Sequence, residues 1–473
     1  MLFATGKYWI FLTIVFFAYW SFARNRRASI IFLLIASYYF YALWNIEFVP
    51  LLILISTIDF LTARFIATSN RPLIRKLLLS VSVASDIGTL FIFKYFNFFS
   101  SSINDLLGQF HLQTRFILIQ DLVIPLGLSF VTFRSLSYVI DVYRKTAPAT
   151  NQYVDYLAFV SFFPTLIAGP VVRARELLPQ LRNQSFESRE ALDGIFLIMV
   201  GLVKKVAIAD VLATNLVDRV FDQPQLYSSV ETLAAIYGYA LQIYYDFSGY
   251  SDIAIGSALL LGIKLPENFH SPYRAQSLRE FWKRWHITLS NWLFDYVYIS
   301  IGGLRKRRFN LYRNLVLTFL VGGLWHGAAW TLLVWGGLHG VGLSVNHWWC
   351  SFRKQLGVKT TESRWREVLC VLATFHFICL TWIVFRAESL QQALSVLQRL
   401  TAFKFSVGNI PVLLVLLLLI VYLIHWLPER FVAALREGWQ CLPSPAQAAV
   451  ILSTAFGLYY VSGAEVQFIY GNF

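Results

Sequence analysis

Two histidines sit in sequence where an imidazole is costly to keep. His326 lies in GGLWHGAAW (322–330), inside a long apolar stretch whose small residues let neighbouring backbones approach closely. An imidazole suits proton transfer near neutral pH, so the choice for His326 lies between a chemical task and a structural bond to a neighbouring helix. His286 lies in FWKRWHITLS (281–290). Read as a helix, Trp282, Trp285, His286, Leu289, Trp292, Leu293 and Tyr296 share one face, and Lys283, Arg284, Ser290 and Asn291 take the other. That pattern predicts an amphipathic helix at a membrane boundary, with tryptophans at headgroup depth and His286 as a polar edge or a reactive group.

Carboxylates in apolar runs form the next candidates. In LQIYYDFSGYSD (241–252), Ser248 and Asp252 are four apart and share a helix face, while Asp246 stands among aromatics. Buried carboxylates need partners, and a histidine or a tyrosine hydroxyl would serve. Helix-to-helix bonding and substrate binding both remain open for them. The run FFPTLIAGP (162–170) places Pro and Gly inside a hydrophobic segment. Such breaks survive at membrane depth only where protein or a cavity satisfies the freed backbone groups, so a broken or re-entrant helix lining a cavity is expected.

These residues must be positioned by membrane helices. The chain is 57% hydrophobic and only 14% charged, with a mean hydropathy of +0.58, against roughly 25% charged residues in a soluble domain. Apolar runs recur at 8–23, 30–44, 48–67, 77–100, 122–140, 153–172, 191–212, 232–263, 314–345, 368–384, 410–426 and 446–461. With about 20 residues needed per crossing, they predict roughly ten to twelve spans. The runs are continuous rather than alternating, so the fold is an all-α polytopic bundle and not a barrel. No linker or repeat interrupts them, which gives one membrane domain over 1–473, with a catalytic core at about 153–386.

Basic residues orient the bundle. Arg24, Arg26 and Arg27, then Arg71, Arg75 and Lys76, then Arg305, Lys306, Arg307 and Arg308 fall between runs, and the positive-inside rule places them in the cytosol and the N-terminus outside. The net charge of +14 resides in such caps, and no nucleic-acid partner is expected. The first run has its positive charge after the apolar stretch, the reverse of a signal peptide, and reads as a retained anchor. Cys350, Cys370, Cys379 and Cys441 show neither a disulfide framework nor metal spacing.

Taken in order, FFPTLIAGPVVR, IYYDFSGYSDIAIG, FWKRWHITLS, YISIGG, GGLWHGAAWTLLVWGGLHG and TWIVFRA resemble the membrane-bound O-acyltransferase family over 162–386. They look most like its bacterial branch typified by the alginate O-acetylation protein, with the teichoic-acid D-alanylation protein more distant; Phe468, Ile469 and Tyr470 near the end also match. The resemblance implies that His326 is the family's catalytic histidine and His286 the second one. It implies a helical bundle with an outer funnel and a cytosolic approach leading to a tunnel between those histidines. It also implies no tightly bound cofactor, and a cytosolic thioester donor: either acyl-coenzyme A or the phosphopantetheine arm of an acyl carrier protein.

Acyl transfer to a hydroxyl needs a base and a stabilised oxyanion. His326 is the expected base, and His286 the group that orients the thioester or donates to its carbonyl oxygen. Trp282, Lys283, Arg284, Trp285, Trp325, Asp246 and Ser248 are the candidate donor- and substrate-binding residues, the two charges drawing a phosphorylated cofactor or acidic carrier. No GxSxG elbow is present, so transfer is expected to be direct. The expected product is an O-acetylated polysaccharide outside a bacterial cytoplasmic (inner) membrane, finished by a periplasmic or surface SGNH-type transferase. D-alanyl transfer to teichoic acid and a secondary transporter or flippase are the alternatives; the latter is often built from repeated halves, and no second copy of FWKRWH or GLWHG occurs.

Overall fold

The computed structural model describes residues 3–112, 114–120, 122–183, 185–303, 308–357, 363–462 and 469. Among these residues all regular structure is helical and no strand occurs, as the continuous apolar runs require. Arg305, Lys306, Arg307, Phe468 and Tyr470 lie outside the described residues, as does the side chain of Arg308.

The chain divides into two compact units. The first, Met1–Gly194 with Ser257–Pro266, holds α1 (Gly6–Ser21), α2 (Arg26–Ala42), α3 (Val49–Thr68), α4 (Pro72–Leu90), α5 (Phe96–Gln109), α6 (Leu128–Arg144), α7 (Tyr153–Ser161) and α8 (Ala174–Arg182). In this unit the expected break after 161 is present: α7 stops at Ser161 and a single 3₁₀ turn, Phe163–Thr165, follows. The surrounding segment is buried in protein, and the guanidinium of Arg134 on α6 plugs the gap. It donates to the carbonyl oxygens of Phe159 at 3.3 Å and Thr165 at 2.8 Å, and to Thr165 Oγ1 at 3.1 Å. A buried cation thus replaces the backbone donors that the interrupted helix no longer supplies.

The second unit, Ile195–Gly256 with Glu267–Phe473, follows α9 (Ser188–Leu202), which crosses the boundary. It holds α10 (Asp218–Asp222), most of α11 (Ser229–Leu260), α12 (Leu278–Arg284), α13 (Ile287–Trp292), α14 (Arg308–His326) and α15 (Trp330–Gln355). Beyond these come α16 (Arg364–Arg386), α17 (Leu390–Leu400), α18 (Val412–His425), α19 (Glu429–Cys441) and α20 (Ser444–Val461). The apolar run 314–345 is not one helix but an antiparallel hairpin of α14 and α15, turning at 327–329. Glycines make the hairpin tight: a Cβ on Gly323 would run into the Leu332 carbonyl, one on Gly336 into that of Phe319, and one on Gly340 would lie 2.6 Å from Val316 Cα.

Ile46–Thr68, Pro72–Gln109 and Arg364–Arg386 are long and apolar enough to cross a bilayer, and Val412–His425 with Glu429–Cys441 form a pair bent by 90°. Among the described residues that is fewer than the runs of hydropathy predict, for a physical reason. Several runs fold into helices short of about 20 residues, among them α1 with 16 and α18 with 14.

Candidate active site

His326 is the last residue of α14, at the hairpin turn rather than mid-helix, and is buried. Aromatic rings pack on its imidazole, among them Trp325 at 4.8 Å between centroids, Trp335 of α15 at 4.9 Å and Phe385 of α16 at 5.2 Å. The close glycine packing of α14 on α15 is what brings Trp335 to this end of the hairpin.

His286 does not lie within an amphipathic helix. The helix breaks at Trp285 and His286, between α12 and α13, and His286 adopts a left-handed backbone with φ +41°. That conformation costs a non-glycine residue about 1–3 kcal/mol, and such strain clusters at functional sites. The tryptophans are buried in protein: Trp285 is 1% exposed and packs against Phe281 and Trp382. With Phe247, Phe269 and Trp325 around it, the His286 ring is fully buried, and burial pushes its pKa down to about 3, which keeps it neutral. Both histidines touch the same indole, Trp325, which lies 5.7 Å from His286 and 4.8 Å from His326 between centroids.

The remaining candidates separate into buried or paired side chains and one exposed charge. Asp246 is buried, but its Oδ1 takes Lys205 Nζ at 2.6 Å and its Oδ2 accepts from the backbone of Ile469 at 2.8 Å. Lys205 also pairs with Asp210 at 2.7 Å, and the neighbouring Lys204 with Asp252 at 2.6 Å. Lysines, not the expected histidine or tyrosine, thus neutralise these acids. Gly249 and Gly201 allow it, since a Cβ on Gly249 would stand 2.7 Å from the Gly201 carbonyl oxygen and hold the two helices apart. Ser248 is buried on the same helix. Trp282 donates its indole N–H to His339 Nδ1 at 3.2 Å, and Arg284 is held by Glu280 at 2.9 Å and by the His270 carbonyl at 3.2 Å. Lys283 alone of the two charges is exposed.

Three partners escaped the sequence. Lys204 and Lys205 carried a signal, since a lysine pair inside the apolar run 191–212 demands acids opposite it. Asn268, whose side-chain oxygen lies 3.1 Å from His286 Nδ1, carried none: it sits in an irregular loop with no periodicity. Among the described residues no three His, Cys, Asp or Glu side chains gather closely enough to hold a metal.

Helical throughout its described residues and rich in apolar helices, the chain has the make-up of a membrane protein, with two buried histidines against one indole. Residues 89–391 match the model of the membrane-bound O-acyltransferase family, and the chain belongs to that family. It is 40% identical over 412 residues to the probable alginate O-acetylase AlgI of Pseudomonas putida, covering 86% of this chain and 81% of the relative. To the peptidoglycan O-acetyltransferase of Helicobacter pylori it is 37% identical over 418 residues, 82% of this chain and 77% of the relative. The teichoic acid D-alanyltransferase of Streptococcus thermophilus is more distant, at 30% over 290 residues, 56% of this chain and 69% of the relative. The chain is therefore an O-acyltransferase, and the transporter alternative falls away.

Proposed function

We propose that this O-acyltransferase takes an acetyl group from a cytosolic thioester and passes it across the bacterial cytoplasmic membrane for O-acetylation of an extracytoplasmic polysaccharide, through a separate periplasmic or surface transferase. The observation that carries the reading is the pair of buried imidazoles on Trp325, in a chain whose relatives bear the names of alginate and peptidoglycan O-acetylating enzymes. His326 is the base. The attacking hydroxyl oxygen bonds to the acyl carbon, the thioester C–S bond breaks, the hydroxyl proton passes to His326, and the leaving thiolate takes that proton to depart as thiol. Aromatic walls exclude water, which protects the thioester from hydrolysis and strengthens each polar contact inside. Coenzyme A and a carrier-borne pantetheine arm present the same thioester, and the exposed Lys283 attracts the phosphates or acidic surface of either.

The test is a bacterial strain lacking this protein, complemented with the parent or with His326→Gln. Alkali-releasable acetate on the extracytoplasmic polysaccharide should return with the parent and not with the variant. Release of ester-linked D-alanine in place of acetate would overturn the acetyl reading while leaving the acyltransferase intact.

A further inference from the structure

Asn268 grips the His286 turn with its backbone and its side chain. The Asn268 carbonyl accepts from Ile287 N at 2.9 Å, and the side-chain oxygen accepts from Thr288 N at 3.3 Å and from Thr288 Oγ1 at 2.9 Å. On its other side Nδ2 donates to Ser251 Oγ at 3.2 Å. A backbone N–H can only donate, so the oxygen and not the NH₂ of Asn268 must face Thr288; the amide orientation follows from chemistry and needs no assignment. That same oxygen lies 3.1 Å from His286 Nδ1. An amide oxygen can only accept, so Nδ1 must carry a hydrogen, and the neutral ring then bears its lone pair on Nε2. Nε2 is buried and has no hydrogen-bond partner among the described residues. The rings packed on it, Phe247, Phe269 and Trp325, carry no charge.

We propose that Asn268 is a positioning residue that locks His286 in the Nδ1–H tautomer, so that His286 meets the substrate as an acceptor of a polar hydrogen and not as a donor to the thioester carbonyl. This reverses the donor role that sequence alone allowed for His286. It rests on the acyl-transfer reading for its consequence, but the tautomer itself does not. A buried acceptor beside a transfer site holds the hydroxyl of the incoming acceptor for the base only while the lone pair is on the unpaired nitrogen. Without Asn268 the ring is free to place its hydrogen on Nε2, and the interaction changes sign.

Two measurements test the proposal. In full-length protein carrying ¹⁵N-labelled histidine, with the His286 signals assigned by their loss in His286→Asn, Nδ1 should resonate as a protonated pyrrole-type nitrogen and Nε2 as an unprotonated one. The opposite pattern would overturn the proposal whatever the enzyme's substrate. In the transfer assay, Asn268→Leu should lower kcat by roughly 10²-fold or more, the range for misplacing a catalytic proton acceptor, with KM for the donor nearly unchanged. Asn268→Asp keeps the acceptor oxygen but adds a negative charge that stabilises the imidazolium. It should retain more activity than Asn268→Leu and shift the acid limb of the pH profile upward, a shift no purely structural role produces. A parental rate in Asn268→Leu, or an unmoved acid limb in Asn268→Asp, would count against it.

Discussion

His339 and His286 are both fully buried imidazoles in the second unit, yet their surroundings differ in one decisive respect. His339 has both nitrogens committed: Nδ1 accepts the Trp282 indole N–H at 3.2 Å, and Nε2 stands 3.0 Å from Thr381 Oγ1. Because Thr381 gives its own hydrogen to the Ile378 carbonyl at 2.8 Å, the His339 Nε2 must be the donor in that pair. Nothing is left over for a substrate. His286 spends only Nδ1 on the protein. The lesson is that burial and an apolar setting, which mark every intramembrane histidine as interesting, do not separate a strut from a reactive group; the count of committed nitrogens does. The same contrast holds for the acids, since both oxygens of Asp246 are occupied.

The comparison can be broken from its structural side. Lys205→Met removes the cation between Asp246 and Asp210 and leaves buried carboxylates unpaired, which should cost about 3–5 kcal/mol, read as a lowered midpoint of thermal unfolding in detergent. Activity per folded molecule should survive. His339→Leu should cost less, about 1–3 kcal/mol, by orphaning the Trp282 indole N–H, and His339→Gln less again, with substantial transfer retained in both. If His339→Gln folded normally and lost transfer, counting committed nitrogens would be the wrong criterion. The smallest effect is at the exposed charge: Lys283→Gln should change apparent donor affinity by no more than about 1 kcal/mol, in a salt-dependent way, and leave the unfolding midpoint in place. A loss of donor affinity equal at all salt concentrations would reject electrostatic docking.

How far the sequence reached depends on the kind of order involved. The all-α fold was legible because continuous apolar runs leave the backbone no other way to satisfy itself in lipid. The close packing of α14 on α15 was legible for a related reason, since His326 stands among small residues that let helices approach. The hairpin turn at 327–329 was not, because the apolar run continues straight through it. Nor was the break at Trp285 and His286: the 3.6-residue spacing of tryptophans persists across it, and only tertiary packing selects a left-handed histidine there. Asn268 depends on a loop folding back onto that turn, a contact between residues 18 apart that no local pattern encodes.

The central claim is that His326 carries the chemical step and is not a packing histidine like His339. Its most direct test is the single-turnover rate of acyl transfer by His326→Gln, measured on protein whose amount in the membrane and thermal midpoint match the parent. Glutamine retains a polar group but cannot take the hydroxyl proton, so the rate should fall by roughly 10²-fold or more. A near-parental rate in that folded variant would contradict the account.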